Sequence, residues 1–364
     1  MPEHSGSLRM SDDRLRMTPG PTEVPAAVRE RMSEPMPNPD VEPEFFAFYR
    51  DLLEKLEGIY GDDDIAILGG EGILGLEAAI ASLVEPGDRV LCIANGLYGE
   101  GFADFVEMAG GEAVVCDAPW REPLDLEAIE SHLAADSFDV ATMVHCETPT
   151  GVLNDIEPIL EVLDDHDVIS VVDAVSSLGG TPVPTDKIDV CLGASQKCFS
   201  APPGLTVCSI SDRAWDKIES VETPSLYTDL EPWRDAAEEE WFPYTHLVSN
   251  LYGLDTATDL LLEEGLEHVF ERHEEAAAHC RDRAADLGLS LYPDEARPSP
   301  TVTALEIPGR AQAVQSAMAD DHDIVLATGL GDLSDDVLRI GHMGHNARLD
   351  RVDRTMDALA AVLE

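Results

Sequence analysis

Apolar positions along this chain follow two alternating rhythms. In residues 45–59, Phe45, Phe48, Tyr49, Leu52, Leu53, Leu56 and Ile59 recur at spacings of three and four, which predicts an amphipathic helix. From residue 65 onward, short runs that are apolar throughout alternate with helical stretches. The runs at 65–68, 89–93, 113–116, 140–145, 168–173, 188–192 and 206–210 predict strands. The stretches at 73–84, 101–109, 126–133 and 156–164 predict helices between them. Strands with no polar face, alternating with helices, predict a mostly parallel seven-stranded sheet covered on both sides, an α/β fold.

The pattern changes at both ends. Residues 1–16 are polar and mixed in charge and are expected to form a flexible leader. A turn-rich stretch at 17–22 precedes a short helix at 25–32, and four prolines in 35–43 require loop or extended chain. Residues 215–245 are polar and aromatic and predict an irregular crossing. A long helix follows at 247–287, broken near Gly265. Beyond it the order becomes α+β: strands at 301–307, 324–327 and 337–340, a helix at 311–319, and a closing helix carrying Leu349, Val352, Met356, Leu359 and Leu363. The expected units are the leader (1–16), a large domain (17–262) and a smaller C-terminal domain (263–364).

Charge narrows the partners. The 73 acidic residues against 23 basic ones give a net charge of −50, spread along the whole chain. An apolar fraction of 44% argues against disorder. Such a surface repels nucleic-acid phosphates and anionic lipid, so neither is an expected partner. It suits high salt, where counter-ions screen the self-repulsion. No apolar run is long enough to span a bilayer. The polar N-terminus does not read as a signal peptide, and the seven cysteines are scattered without a CxxC pair. A cytoplasmic protein with reduced, buried thiols is the expectation.

Candidate chemistry gathers after the strands, where open parallel sheets bind ligands. Lys197 is one of only four lysines and lies just beyond the run at 188–192. Its amine can form a Schiff base with an aldehyde; an arginine cannot. Asp173 ends the most apolar strand. A carboxylate there can keep a pyridine nitrogen protonated, and Lys plus Asp is the minimal apparatus of pyridoxal phosphate (PLP) chemistry. Gly69-Gly70-Glu71-Gly72-Ile73 joins a strand to a helix, and its small residues allow backbone N–H groups to approach a phosphate. The Glu71 carboxylate is an awkward neighbour for that phosphate unless it points away. Tyr98 is either a stacking platform for a flat ring or a loop-edge tyrosine. Thr148 follows another strand, where its hydroxyl could bond cofactor or substrate. Gln196 and Ser195 could bind phosphate. Arg339, inside an apolar strand, is either a partner for a substrate carboxylate or an edge-strand arginine. His342 and His345 lack further convergent ligands, so no metal is expected.

In chain order, Thr18-Pro19-Gly20-Pro21, Ala94-Asn95-Gly96-Leu97-Tyr98-Gly99, the run from Val172-Asp173-Ala174-Val175 to Gly180, Ser195-Gln196-Lys197 with Ala201-Pro202-Pro203-Gly204, and Leu338-Arg339-Ile340-Gly341 resemble the alanine–glyoxylate/serine–pyruvate branch of the class V PLP-dependent aminotransferases. The resemblance runs from about residue 17 to the C-terminus. It implies a PLP fold-type I homodimer with shared active sites. Lys197 would be the Schiff-base lysine and Asp173 the pyridine partner. Tyr98 and Val175 would face the two sides of the ring. Gly70, Glu71, Gly72, Ile73, Thr148 and Gln196 would also line the cofactor site, Thr245 would reach the phosphate from the neighbouring subunit, and Gly20, Thr148 and Arg339 would meet the substrate. The implied reaction moves an amino group from alanine or serine to glyoxylate or pyruvate. Glu71 and Ile73 replace a serine and a histidine of the family pattern, Phe242 a tyrosine, and Pro149 a serine. Those departures leave open an aspartate or aminophosphonate donor. A PLP lyase such as a cysteine desulfurase is a weaker alternative, because no cysteine sits on a C-terminal loop and no histidine precedes Lys197.

Overall fold

The computed structural model describes residues 14–61, 63–293 and 297–364. Seven strands form the main sheet: β1 (Asp64–Gly69), β2 (Arg89–Ala94), β3 (Glu112–Asp117), β4 (Val140–Val144), β5 (Ile169–Asp173), β6 (Val190–Ala194) and β7 (Leu205–Ile210). Their spatial order is β1-β7-β6-β5-β4-β2-β3, with β7 alone running against its neighbours. Strands β4, β5 and β6 are buried along their whole length, as their continuous apolar runs require. The main core draws on residues from Phe45 to Val269.

Helices α1 (Ala26–Arg31) and α2 (Pro43–Tyr60) precede the sheet. Helices α3 (Gly72–Leu83), α4 (Leu97–Ala109), α5 (Leu126–Ala135) and α6 (Glu157–Asp165) follow its parallel strands. A short α7 (Asp212–Ile218) leads into an irregular stretch whose Phe242 is buried against Tyr49 of α2, with Trp233 packed on Phe242. The predicted long helix is two helices, α8 (Val248–Glu264) and α9 (Leu266–Asp286), separated by Gly265 at φ +84°. A second core joins α9, α10 (Ala311–His322) and α11 (Leu349–Leu363) to a three-stranded antiparallel sheet of β8 (Thr303–Glu306), β9 (Ala327–Thr328) and β10 (Val337–Ile340). None of the described helices is long and apolar enough to cross a membrane.

Four expectations need correction. The leader does not extend to residue 16. Residues 1–13 lie outside the described structure, but Leu15–Arg16 pairs in parallel with Ile324–Val325, and Leu15 and Met17 are buried in the second core. The run at 324–327 is therefore two strands that serve two different sheets, because Leu326 turns inward between them. The run at 188–192 begins two residues later, after a 3-10 turn at Thr185–Lys187. Finally, α4 starts at Leu97, so Tyr98 sits in a helix's first turn and not on a loop edge.

Candidate active site

The carboxyl ends of β1, β2, β4, β5 and β6 converge on one cavity of about 260 Å³. Its wall includes ten of the residues singled out from the sequence: Gly20, Glu71, Gly72, Ile73, Tyr98, Thr148, Asp173, Val175, Gln196 and Lys197. Gly70, Arg339 and Thr245 stand outside that wall. Gly70 shapes the turn from β1 into α3. Thr245 is exposed and donates to Asp40 Oδ2 at 3.1 Å. It does not reach its own chain's cavity.

Lys197 follows β6 by three residues. Its Nζ donates to the Pro19 carbonyl at 2.9 Å. Burial pushes the amine below its ordinary pKa; Asp173 opposes that shift and Arg339 adds to it. Gly20 is there because nothing larger fits. At φ +98°, a Cβ would lie 2.4 Å from Lys197 Cδ and 2.7 Å from Nζ. Asp173 is the last residue of β5. Its Oδ1 accepts from the Val175 N–H at 2.9 Å. Burial raises its carboxyl to about 6, against the pull of that N–H and of Lys197. A buried carboxyl in this state is short of a cation.

Arg339 lies on β10 between β8 and β9, 7% exposed. Its Nε donates to the Thr328 carbonyl at 2.7 Å and its Nη1 to the Thr148 carbonyl at 3.4 Å. No carboxylate among the described residues pairs with it, and burial lowers the guanidinium to about 10. The Thr148 hydroxyl bonds Ser176.

Sequence reasoning missed several contributors. The Pro19 carbonyl and Ser176 belong to the site through these bonds. Glu147 is the larger omission. It sits on a small hairpin, Cys146–Glu147 paired with Val152–Leu153, that folds the Thr148 segment back after β4. Fully buried, it accepts from the Gly99 N–H at 2.7 Å and the Tyr98 N–H at 3.4 Å, capping α4 from another element. Burial raises its carboxyl to about 8, with Asp173 adding to the shift. The signal was an acid in an otherwise small and apolar run, one residue before Thr148.

Known proteins resemble this chain in sequence and in fold. The model of the family described as aminotransferase class-V matches residues 62–337. The chain belongs to the class V aminotransferases. It is 37% identical to an uncharacterized aminotransferase of Methanocaldococcus jannaschii over 91% of its length and 88% of that protein. It is 35% identical to the pyridoxamine–pyruvate transaminase of Mesorhizobium japonicum, over 85% of its length and 81% of that protein. The crystal structure of alanine–glyoxylate aminotransferase from Nostoc superposes with a TM-score of 0.92 at 29% identity, covering 96% of this chain and 95% of that one. Class V aminotransferases of this fold are PLP-dependent, and this chain is a PLP-dependent transaminase with the α/β fold-type I architecture.

The residues at the ring end fit that cofactor. Asp173 lacks the cation that a protonated pyridine nitrogen supplies, and Lys197 holds an amine biased toward its neutral, nucleophilic form. Gln196 lines the cavity with its Oε1 buried and without a partner. The phosphate end is mixed. The N-terminus of α3 has no side-chain cap and faces the cavity through Gly72 and Ile73, which suits an anion. Its N-cap residue is Glu71, which does not.

Proposed function

We propose that this aminotransferase takes the amino group of a small amino acid, alanine or serine, and delivers it to glyoxylate or pyruvate. The observation that supports the reading is Lys197 and Asp173 in the wall of one small cavity, with Arg339 just behind that wall, bonded to the Thr148 carbonyl and free of any carboxylate partner among the described residues. Pyruvate and glyoxylate, the 2-oxo acids in the names of the two relatives above, are both small.

When bound, PLP supplies an aldehyde that takes up amines and a ring that accepts electrons. The chain's own residues do the rest. Arg339 holds the substrate carboxylate through its forked guanidinium, already oriented by the Thr328 carbonyl. Lys197 Nζ removes the proton from the substrate Cα and returns one on the same side. Asp173 would keep the ring nitrogen protonated, and Val175 and Tyr98, both in the cavity wall, would offer the ring an apolar and an aromatic surface. Gln196 binds toward the phosphate, and Thr148 with Ser176 orients the substrate side. Thr245, exposed on its own chain, would complete the neighbour's site in a homodimer. The seven buried free cysteines fit a reducing, cytoplasmic setting, and the charge fits high salt.

An aspartate or aminophosphonate donor fits less well, because the cavity wall carries one cation, Lys197, and two acids, Glu71 and Asp173. A second carboxylate or a phosphonate would find no partner there. A cysteine desulfurase fits least. Cys280, the last cysteine, is buried in α9 with its thiol pushed up to about 12.

The test is a half-reaction screen in molar KCl, mixing the holoenzyme with single amino acids and following both the cofactor absorbance and the 2-oxo acid released. Alanine or serine should convert fastest. Arg339→Ala should raise KM for the amino acid by about 100-fold or more, the loss expected for a buried charged pair. A Lys197→Ala variant that kept both the spectrum and the turnover would overturn the assignment.

A further inference from the structure

Glu71 is the departure at the phosphate end of this site. It is the N-cap residue of α3, at the end of the cavity where a helix N-terminus would otherwise receive a phosphate. Its carboxylate makes no hydrogen bond or ion pair with the described residues, so nothing there neutralises it. Only its backbone is engaged, its carbonyl accepting from Thr206 Oγ1 at 3.3 Å. Glu71 is exposed in this chain and lines the cavity wall beside Gly72 and Ile73. The next wall residues, Gly72 and Ile73, add no side-chain donor, and Ile73 presents a half-exposed apolar side chain. The one cation in the wall, Lys197, is committed to the reacting end.

A phosphate dianion placed there meets a carboxylate instead of a positive side chain, and the two like charges repel. A hydroxymethyl group in the same place meets a strong acceptor for its O–H. We infer that Glu71 adapts this site to the phosphate-free ring, so that pyridoxamine and pyridoxal bind and react as exchangeable substrates. The inference rests on the transaminase reading above and adds the ring itself as a substrate, exchanged beside the small amino acid and 2-oxo acid. The reaction balances without an added oxidant or reductant. The CH₂–NH₂ of pyridoxamine gives up its amino group and two electrons and leaves as the aldehyde of pyridoxal. The keto carbon of pyruvate or glyoxylate takes the amino group and the electron pair and leaves as alanine or glycine. Lys197 Nζ carries the proton between the two carbons.

The experiment compares pyridoxal with PLP on apoenzyme, by absorbance titration and by dialysis, in wild type and Glu71→Gln. Turnover of pyridoxamine with pyruvate is measured alongside, with Glu71→Ser as a second variant in case the first folds poorly. The expected result is a wild-type Kd for pyridoxal no weaker than for PLP, with steady pyridoxamine–pyruvate turnover. Glu71→Gln should shift the ratio of the two Kd values toward PLP by about tenfold or more. Tight, stoichiometric PLP retained through dialysis, with no turnover of pyridoxamine, would overturn the inference while leaving the transaminase reading intact. A ratio unmoved in both variants would also overturn it. Absence of transamination with any ring form would overturn the transaminase reading itself.

Discussion

Replacing Glu147 by glutamine tests whether burial or the α4 N-terminus decides the state of this carboxyl. In the unfolded chain the group titrates near 4.5; in the fold, burial beside Asp173 lifts it to about 8. A raised folded pKa means that the folded state holds the proton more tightly. The stabilisation is complete below the unfolded pKa and is lost as pH rises toward 8. At about 1.4 kcal/mol per pH unit the full span is worth about 5 kcal/mol. The Gly99 and Tyr98 N–H groups at the start of α4 already pull against burial within that value, so about 5 kcal/mol is the net figure. Glutamine keeps an acceptor for the Gly99 N–H at 2.7 Å but sets an amide against the Tyr98 N–H at 3.4 Å, a loss of about 1 kcal/mol. The variant should therefore be level with wild type or slightly weaker near pH 5, and more stable by about 4 kcal/mol above pH 8. The assay is urea unfolding of the cofactor-free protein in molar KCl at a series of pH values, read as the difference between the two proteins. Taking the difference cancels His246, His273 and His342, which burial lowers to about 3 in both. A constant difference from pH 5 to 9 would refute the reasoning. It would mean that the carboxylate stays ionised in the fold and that the two N–H groups outweigh burial.

Gly20→Ala should fold but lose activity by about 100-fold, because a Cβ 2.4 Å from Lys197 Cδ displaces the amine by roughly 1 Å; steady-state kinetics beside a thermal melt separate the two effects. The net charge of −50 predicts a melting temperature that climbs steeply from low to molar KCl, and melts that do not move with salt would remove self-repulsion as a factor.

Much of this molecule is legible in the chain because the main sheet is parallel and buried. Continuous apolar runs mark its strands, and the residue after each parallel strand faces the ligand. Asp173, at the end of β5, and Lys197, three residues past β6, stand out by that position together with their chemistry. The pairing of Leu15–Arg16 with Ile324–Val325 could not be read, since each is only two residues long and the partner lies about 300 positions away. The start of α4 was hidden for a different reason. Gly96 and Gly99 read locally as loop residues because glycine costs a helix about 1 kcal/mol. In the fold they answer Glu147. A Cβ on Gly96 would lie 2.4 Å from Glu147 Cδ, and one on Gly99 would lie 3.1 Å from Ala94 Cβ and 3.4 Å from Glu147 Oε1. The glycines let the carboxylate reach the helix's first N–H groups, and the carboxylate caps a helix whose Gly96 offers no side-chain cap. Neither feature makes sense alone in the sequence, where they stand some fifty residues apart. Together they fix the first turn of α4 and with it the ring of Tyr98 at the cavity wall. The helix begins early because a distant acid needs it there, and local propensity yields to that contact.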